Sequence, residues 1–253
     1  MRIKTVLTAP LRWTQLFFKY SKARQNSEIL SVNSLGRVLI VAPHPDDEVL
    51  GCGGLIARLT GEGNAPHIAI LTGGGGSHRG CCQISENEVV KNRRLLTFRA
   101  AQVLDMPQRK YHFVDIKDGS IPGEDDGSDE VNNLCELIKD LNPDTIFVPH
   151  SGEGWPDHLN AARLIRSLVR ELNMTPTLYE YAVWMWYYNV WNLDWKNVFA
   201  VELSGNEFDK KCLAVDEYVI PQASCGRPWS GVLPGLFLKA NKRTTEIYFK
   251  SSL

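Results

Sequence analysis

The feature that most constrains the fold of this chain is a repeated alternation of short apolar segments with helical ones. The apolar segments have the length of strands and are bounded by proline, glycine or polar residues. Strands are predicted at 38–42, 67–71, 111–114, 145–148, 178–183 and 244–250, and helices at 53–59, 86–104, 130–141, 156–172 and 206–219. Strands that alternate with helices pair in parallel, with helices on both faces of the sheet. The alternation predicts a single α/β domain with an open, mostly parallel, Rossmann-like sheet.

The first predicted strand runs directly into a polar turn, His44-Pro-Asp-Asp-Glu48, with a helix shortly after it. Open α/β sheets carry their binding sites at the carboxyl ends of such strands. The imidazole of His44 and the carboxylate of Asp47 can share one zinc ion, and Asp46 can stand beside a metal-bound water and take its proton. A turn whose two aspartates only cap the following helix fits these residues about equally well.

A later segment repeats this architecture. An apolar run at 144–149 ends in proline and opens onto a polar loop at 150–158, which leads into a helix. His158 lies at the start of that helix and is the candidate third ligand. It would complete a site of two histidines and one carboxylate with a position open for water.

These two motifs carry a family resemblance. Ala42-Pro-His-Pro-Asp-Asp-Glu48, together with Pro156-Asp-His158, resembles the PIG-L/LmbE family of zinc-dependent N-deacetylases, which remove acetyl groups from sugars of the N-acetylglucosamine type. The resemblance extends more loosely from about residue 36 to residue 172. It implies a metal-dependent hydrolase that acts on amide bonds other than peptide bonds.

The resemblance also implies roles for single residues. The implied zinc ligands are His44, Asp47 and His158, and the implied general base is Asp46. The predicted supporting residues are Glu48, His150 and Asp157, and the predicted substrate contacts are His78, Arg94, Asp118 and Trp155. Iron(II) or cobalt could occupy the same ligands. Without the family, Arg94 fits a solvated basic face and Asp118 fits an Asp-Gly turn.

The chain departs from the family at Trp155, where the second motif usually has a histidine that stabilises the tetrahedral intermediate. An indole has one donor and cannot act as an acid at neutral pH. Three outcomes stay open. Another group, such as His150 or His78, takes over; or zinc carries more of the oxyanion charge; or hydrolysis is slow or absent.

The loop Thr72 to Gly80 is rich in glycine and follows the second predicted strand, so it lies at the same sheet edge. It lacks the spacing of the nucleotide-binding fingerprints. Its glycines are expected to let the backbone approach the substrate, with Ser77 or His78 in contact. A flexible surface loop is the alternative.

Composition excludes several other classes. A net charge of −1 argues against nucleic acid as an obligatory partner. The six cysteines lack C-x-x-C spacing, so they predict free thiols in a reducing compartment rather than a zinc ribbon or a disulfide framework. Cys81 and Cys82 are expected to lie in an ordinary exposed loop.

The chain is divided at residue 35 into an N-terminal extension, 1–35, and a deacetylase-like domain, 36–253, which the aromatic-rich part 176–253 completes. The extension predicts an amphipathic helix packed on the domain, with a peripheral membrane helix as the alternative. It matches neither a secretory signal nor an integral membrane segment, so a cytoplasmic location is expected. Of the aromatic residues at 179–195, one or two are expected at the site and the rest in packing, and 222–240 is expected to form an irregular wall or lid.

The sequence therefore predicts a zinc-dependent hydrolase that removes an acetyl or other acyl group from an N-acetylglucosamine-type sugar or conjugate. Its expected partner is a small sugar or glycoconjugate, and a homo-oligomer is compatible with the sequence. Two alternatives are a non-catalytic metal- or sugar-binding protein on the same scaffold and an amidase acting on a different acylated conjugate.

Overall fold

The computed structural model describes residues 2–187 and 195–252, with side chains from residue 13 onward. The strands are β1 (Glu28–Ile29), β2 (Val38–Ala42), β3 (His67–Thr72), β4 (Tyr111–Ile116), β5 (Thr145–Pro149), β6 (Thr177–Tyr181), β7 (Val198–Glu202) and β8 (Thr245–Ser251). The helices are α1 (Arg2–Asn26), α2 (Asp47–Gly61), α3 (Glu86–Val103), α4 (Asp129–Leu141), α5 (Pro156–Glu171), α6 (Gly205–Val219) and α7 (Gly235–Asn241).

The strands form one sheet in the order β1-β7-β8-β6-β5-β2-β3-β4. Neighbouring strands pair in parallel except at β8, which runs antiparallel to both β6 and β7. The prediction of a single α/β domain with a mostly parallel sheet is confirmed.

Strand β2 shows how both faces of the sheet are buried. Val38, Ile40 and Ala42 pack into one hydrophobic cluster together with side chains of α2, α3 and α6. Leu39 and Val41 point to the other face and pack with α4 and α5. Alternate residues of a strand face opposite sides, so an uninterrupted apolar run is the pattern of a central strand covered twice.

The predicted strands and helices lie within a few residues of the observed ones, with four exceptions. Helix α2 begins at Asp47 rather than Gly53, and α7 lies inside the segment 222–240, which was expected to be irregular. The two-residue strand β1 is not predicted, and neither is strand β7. It follows an aromatic segment and pairs with antiparallel β8, so the alternation of strand with helix does not mark it.

Helix α1 packs through Leu16 and Ala23 into a cluster with Trp186 and Phe249, while Phe17 and Phe18 are exposed. Within the described residues, none of the helices combines the length and the apolar composition needed to cross a membrane. The division of the chain at residue 35 stays a prediction. Strand β1 precedes residue 35 and belongs to the same sheet, where it pairs with β7.

The carboxyl ends of β5, β2, β3 and β4 are consecutive along one edge of the sheet. The loops that leave these strands therefore converge, and they include both polar motifs and the glycine-rich loop.

Gly51 in α2 allows the helix to approach the ring of Tyr181, since a Cβ at this position would fall well inside van der Waals contact with the ring. We expect Gly51→Ala to lower the free energy of unfolding by about 3 kcal/mol because the packed ring has no room to move. Gly61→Ala is the matched control, because Gly61 lies in the same helix and a Cβ at this position would meet nothing within 4 Å. It should be neutral or stabilising by up to about 1 kcal/mol. Urea unfolding of both variants measures the difference, and equal stabilities would contradict the packing argument.

Candidate active site

The turn after β2 places Asp46 in an unusual backbone conformation, with φ of 126° and ψ of −27°. Its N–H donates to Glu48 Oε2 at 3.0 Å, and the Tyr218 hydroxyl donates to Glu48 Oε1 at 2.5 Å. Burial raises the pKa of Glu48 to about 7. A non-glycine residue with positive φ needs support from its surroundings, and Glu48 supplies that support.

The three predicted metal ligands come together at the end of the sheet. Asp47 Oδ2 lies 3.2 Å from His44 Nδ1 and 3.4 Å from His158 Nε2. One ligand atom from each residue fits within a group whose members all lie within 4.8 Å of one another. Asp47 and His158 are almost completely buried.

Carboxylates stand behind both histidines. His44 Nε2 lies 3.1 Å from Asp118 Oδ1 and 3.2 Å from Asp157 Oδ2. Burial by itself would raise the pKa of Asp118, but the hydrogen bonds with His44 and the Gly76 N–H outweigh it and lower that pKa. Asp157 Oδ2 also accepts from the Gly119 N–H at 2.8 Å. Asp118 and Asp157 thus orient the His44 ring.

Glu153 takes the corresponding place behind His158 and was not predicted. Its carboxylate accepts from the backbone N–H groups of Val183, Trp184 and Met185 at 2.7, 2.7 and 3.1 Å. Glu153 Oε2 lies 3.4 Å from His158 Nδ1, a buried atom that has no hydrogen bond of good geometry. The sequence Gly152-Glu-Gly154 gives no sign that this carboxylate is buried.

Asp46 makes an ion pair with Arg93, with 3.1 Å between Asp46 Oδ2 and Arg93 Nη2. Arg93 is 4 % exposed and also donates to the carbonyl oxygens of Gly74 and Pro45. Burial raises the pKa of Asp46 to about 7, although Arg93 opposes the shift. Asp46 lines the cavity beside Asp47 without contacting a histidine through a hydrogen bond.

The structure does not place Arg94, the predicted substrate contact, at the cavity. Arg94 donates to Asp115 at 2.5 Å and packs over the Phe113 ring, away from the cavity, whereas Arg93 lines it. One residue turns the side chain by about 100° around a helix. Arg93 lies on the buried face of α3 with Val89, Leu96 and Ala100, and this periodicity could have identified it.

Neither His150 nor His78, the two candidates to replace a histidine at position 155, is among the residues that line the cavity. His150 Nδ1 accepts from the Gly152 N–H at 2.7 Å, and its ring packs on Phe249. His78 is 2 % exposed and its Nε2 lies 3.0 Å from the carbonyl oxygen of Pro228. These contacts hold both rings away from the cavity, and the sequence does not reveal that the rings are buried.

The site opens into a cavity of about 520 Å³. Asp46, Asp118 and Arg93 contribute polar groups to it, as do Ser77 and Arg79 of the glycine-rich loop. Its apolar side is formed by Trp155, Trp184, Leu233 and Phe237. Among the described residues of the aromatic segment 179–195, Trp184 lines the cavity.

Trp155 is 46 % exposed, and its ring centroid lies 5.7 Å from that of Trp184. Tyr179, Tyr181 and Trp186 are buried in packing. Of the rings considered in the sequence, those of Tyr188 and Trp191 lie outside the described residues.

Fold and site together define an α/β protein with a candidate metal centre at the carboxyl edge of its sheet. The chain belongs to the PIG-L family, whose model, described as GlcNAc-PI de-N-acetylase, matches residues 39–169. The predicted resemblance is confirmed.

Named relatives agree with this family. The chain is 29 % identical over 136 residues to diacetylchitobiose deacetylase of Thermococcus kodakarensis, covering 52 % of this chain and 48 % of that protein. It is 29 % identical over 148 residues to 2'-N-acetylparomamine deacetylase of Streptomyces fradiae, covering 53 % and 52 %. The chain thus spans about half the length of the curated relatives it matches.

The fold is also that of a solved relative. N,N'-diacetylchitobiose deacetylase from Pyrococcus horikoshii aligns with a TM-score of 0.57 and 21 % identity, over 73 % of this chain and 70 % of that one.

Adjacent arginines on α3 give a matched test of the site's electrostatics. We expect Arg93→Gln to destabilise the protein by about 3 kcal/mol, because it leaves the buried Asp46 carboxylate without its cation. Arg94→Gln removes a half-exposed pair with Asp115 and should cost about 1 kcal/mol or less. Chemical denaturation compares the two, and a cost at Arg94 equal to that at Arg93 would contradict the assignment.

Proposed function

We propose that the protein is a zinc-dependent hydrolase that removes an acetyl or related acyl group from the nitrogen of an amino sugar or its conjugate. The observation that carries the proposal is the convergence of His44, Asp47 and His158, with Asp46 beside them in the cavity. The family and the names of the relatives support the same reaction class.

The residues fit a tetrahedral metal site. Zinc–nitrogen and zinc–oxygen bonds of ordinary length put neighbouring ligand atoms about 3.3 Å apart. The distances from Asp47 Oδ2 to His44 Nδ1 and His158 Nε2 are 3.2 and 3.4 Å. Metal-binding histidines commonly direct their second nitrogen to a carboxylate, and here Asp118, Asp157 and Glu153 stand in that place. Iron(II) or cobalt would suit the same donors.

A divalent ion held there would act as a Lewis acid that polarises an amide carbonyl and makes a water molecule easier to deprotonate. Asp46 accepts the proton from the attacking water and returns it to the departing amine. Arg93 keeps the Asp46 side chain in place. Asp118 and Asp157 are already engaged with His44, so they are poorer candidates for this transfer.

The cavity suits a sugar. Its volume of about 520 Å³ is that of a small-molecule site. The rings of Trp155 and Trp184 offer an apolar surface for a pyranose face, while Asp118, Ser77 and Arg79 offer partners for hydroxyl groups. An acylated conjugate with a bulkier apolar part would pack against the same aromatic rings. An amidase that acts on such a conjugate is therefore the alternative within the same reaction class.

Trp155 favours one second candidate, a non-catalytic protein that binds metal and sugar on this scaffold. The usual histidine of the family stabilises the tetrahedral intermediate. An indole cannot act as an acid at neutral pH and so cannot replace it in that role. Acetate release from N-acetylglucosamine and its short oligomers, measured with and without added zinc, separates the two proposals.

Replacing the proposed base should separate turnover from metal binding. We expect Asp46→Asn to keep the wild-type metal content and to lower kcat at least about 100-fold, because the amide cannot accept the proton. His158→Ala should lose one equivalent of metal per chain, together with activity. Metal analysis and an acetate-release assay measure both variants. Full activity in Asp46→Asn would exclude Asp46 as the base.

Trp155 is assigned to substrate binding rather than proton transfer. We expect Trp155→Ala to raise KM about tenfold, equal to about 1.4 kcal/mol, with kcat nearly unchanged. Trp13→Ala is the control, since Trp13 is equally exposed at 46 % but lies on α1, outside the cavity. Steady-state kinetics on both variants test this, and a loss confined to kcat would contradict the assignment.

A further inference from the structure

A cluster of sulfur and nitrogen atoms lies beside the cavity, separate from His44, Asp47 and His158. His78, Cys81 and Cys82 come from the loop after β3, and Cys225 comes from the loop after α6. One ligand atom from each lies within 4.8 Å of all the others. Cys81 and Cys82 are partly exposed and Cys225 is exposed, so the cluster lies near the surface.

The distances within the cluster match those between the ligands of one metal ion. The sulfur atoms of Cys81, Cys82 and Cys225 lie 3.6, 3.4 and 3.5 Å from His78 Nδ1. In a tetrahedral zinc site, bonds of ordinary length separate sulfur from nitrogen by about 3.6 Å. A single imidazole lone pair accepts one strong hydrogen bond, so hydrogen bonding alone does not account for three sulfur atoms at nearly equal distances from Nδ1.

The His78 ring is held in the state that binds metal. Its Nε2 lies 3.0 Å from the carbonyl oxygen of Pro228, which can only accept, so Nε2 carries the proton. In the neutral ring this leaves the Nδ1 lone pair directed at the three sulfurs. A backbone carbonyl behind a ligating histidine is a common arrangement in metal sites.

The contacts within the cluster shift the pKa values of two of its thiols in opposite directions. The backbone N–H of Ile84 and the contact with His78 lower the pKa of Cys82 to about 7. The hydrogen bond with Cys82 raises the pKa of Cys81 to about 11. A metal ion that binds the sulfurs displaces the remaining thiol protons to solvent, with no change of oxidation state.

We propose that His78, Cys81, Cys82 and Cys225 bind a second, structural zinc ion that ties together two loops of the cavity wall. Those loops already meet where the Ser77 hydroxyl donates to the Trp229 carbonyl oxygen at 2.8 Å. Ser77 and Arg79 line the cavity from one loop and Ser230 from the other. The proposal shares no ligand with the His44 site and does not depend on the deacetylase reaction.

Cobalt substitution tests the site, because the His44, Asp47 and His158 set contains no sulfur. The full-length protein is stripped of metal under reducing conditions and titrated with Co²⁺. We expect a near-ultraviolet sulfur-to-cobalt absorption with strong visible bands in the wild type and in His158→Ala. The Cys82→Ser/Cys225→Ser variant should lose this absorption at least tenfold, whereas Cys135→Ser/Cys212→Ser should keep it.

Zinc content gives the second measurement. We expect two equivalents per chain in the wild type, one in His158→Ala and one in Cys82→Ser/Cys225→Ser. Absence of the sulfur-to-cobalt absorption in the wild type would overturn the proposal, even if the cysteine variant fails to fold. So would fewer than six titratable thiols in the unfolded, unreduced protein, since a disulfide would then occupy the cluster.

Discussion

The buried carboxylate of Asp47 is the contact on which the whole site depends. Its Oδ2 accepts from the backbone N–H of His44 at 3.0 Å and faces imidazole nitrogens from two different loops. Burial would raise the pKa of Asp47, but His158 and His44 outweigh that effect and lower it. Asp47 also opens α2, where the helix dipole favours a negative charge. A charge placed this deeply is tolerable because the two imidazoles and a backbone N–H surround it.

The order of strands in the sheet brings those partners within reach. Strands β2 and β5 are neighbours, so the loops that follow them leave the sheet side by side although they are far apart in sequence. Strands β3 and β4 extend the same edge and deliver Ser77 and Asp118. Antiparallel β8 contributes to packing rather than to this edge, and its buried Glu246 accepts from the backbone N–H groups of Gly54 and Leu55. The parallel strands of the sheet thus position the residues of the site, and antiparallel β8 supports α2.

Sequence reasoning recovers features that local pattern controls and misses those that depend on long-range packing. Apolar runs predict β2 and β5 closely, and the residue types at His44, Asp47 and His158 predict their meeting. Arg94 is predicted at the site whereas Arg93 lines the cavity, because choosing between adjacent residues needs the phase of the helix to within one position. Glu153 and Cys225 could not be found, since each meets its partners only when a distant part of the chain folds beside it. Burial of polar side chains is therefore the part of the site that one sequence conceals.

Trp155 stands where the family motif usually has a histidine, and this difference changes the chemical character of the cavity wall. A histidine here would face the cavity as a titratable donor, whereas the indole packs edge-on against Trp184, which in turn packs against Phe237. The wall thereby gains apolar surface and loses a group able to transfer a proton at neutral pH. In the proposed mechanism the proton transfer is assigned to Asp46, whose carboxylate pairs with Arg93 and whose backbone N–H donates to Glu48. Asp46 has a positive φ and precedes the helix that Asp47 begins. In this conformation its side chain lines the cavity instead of following the helix.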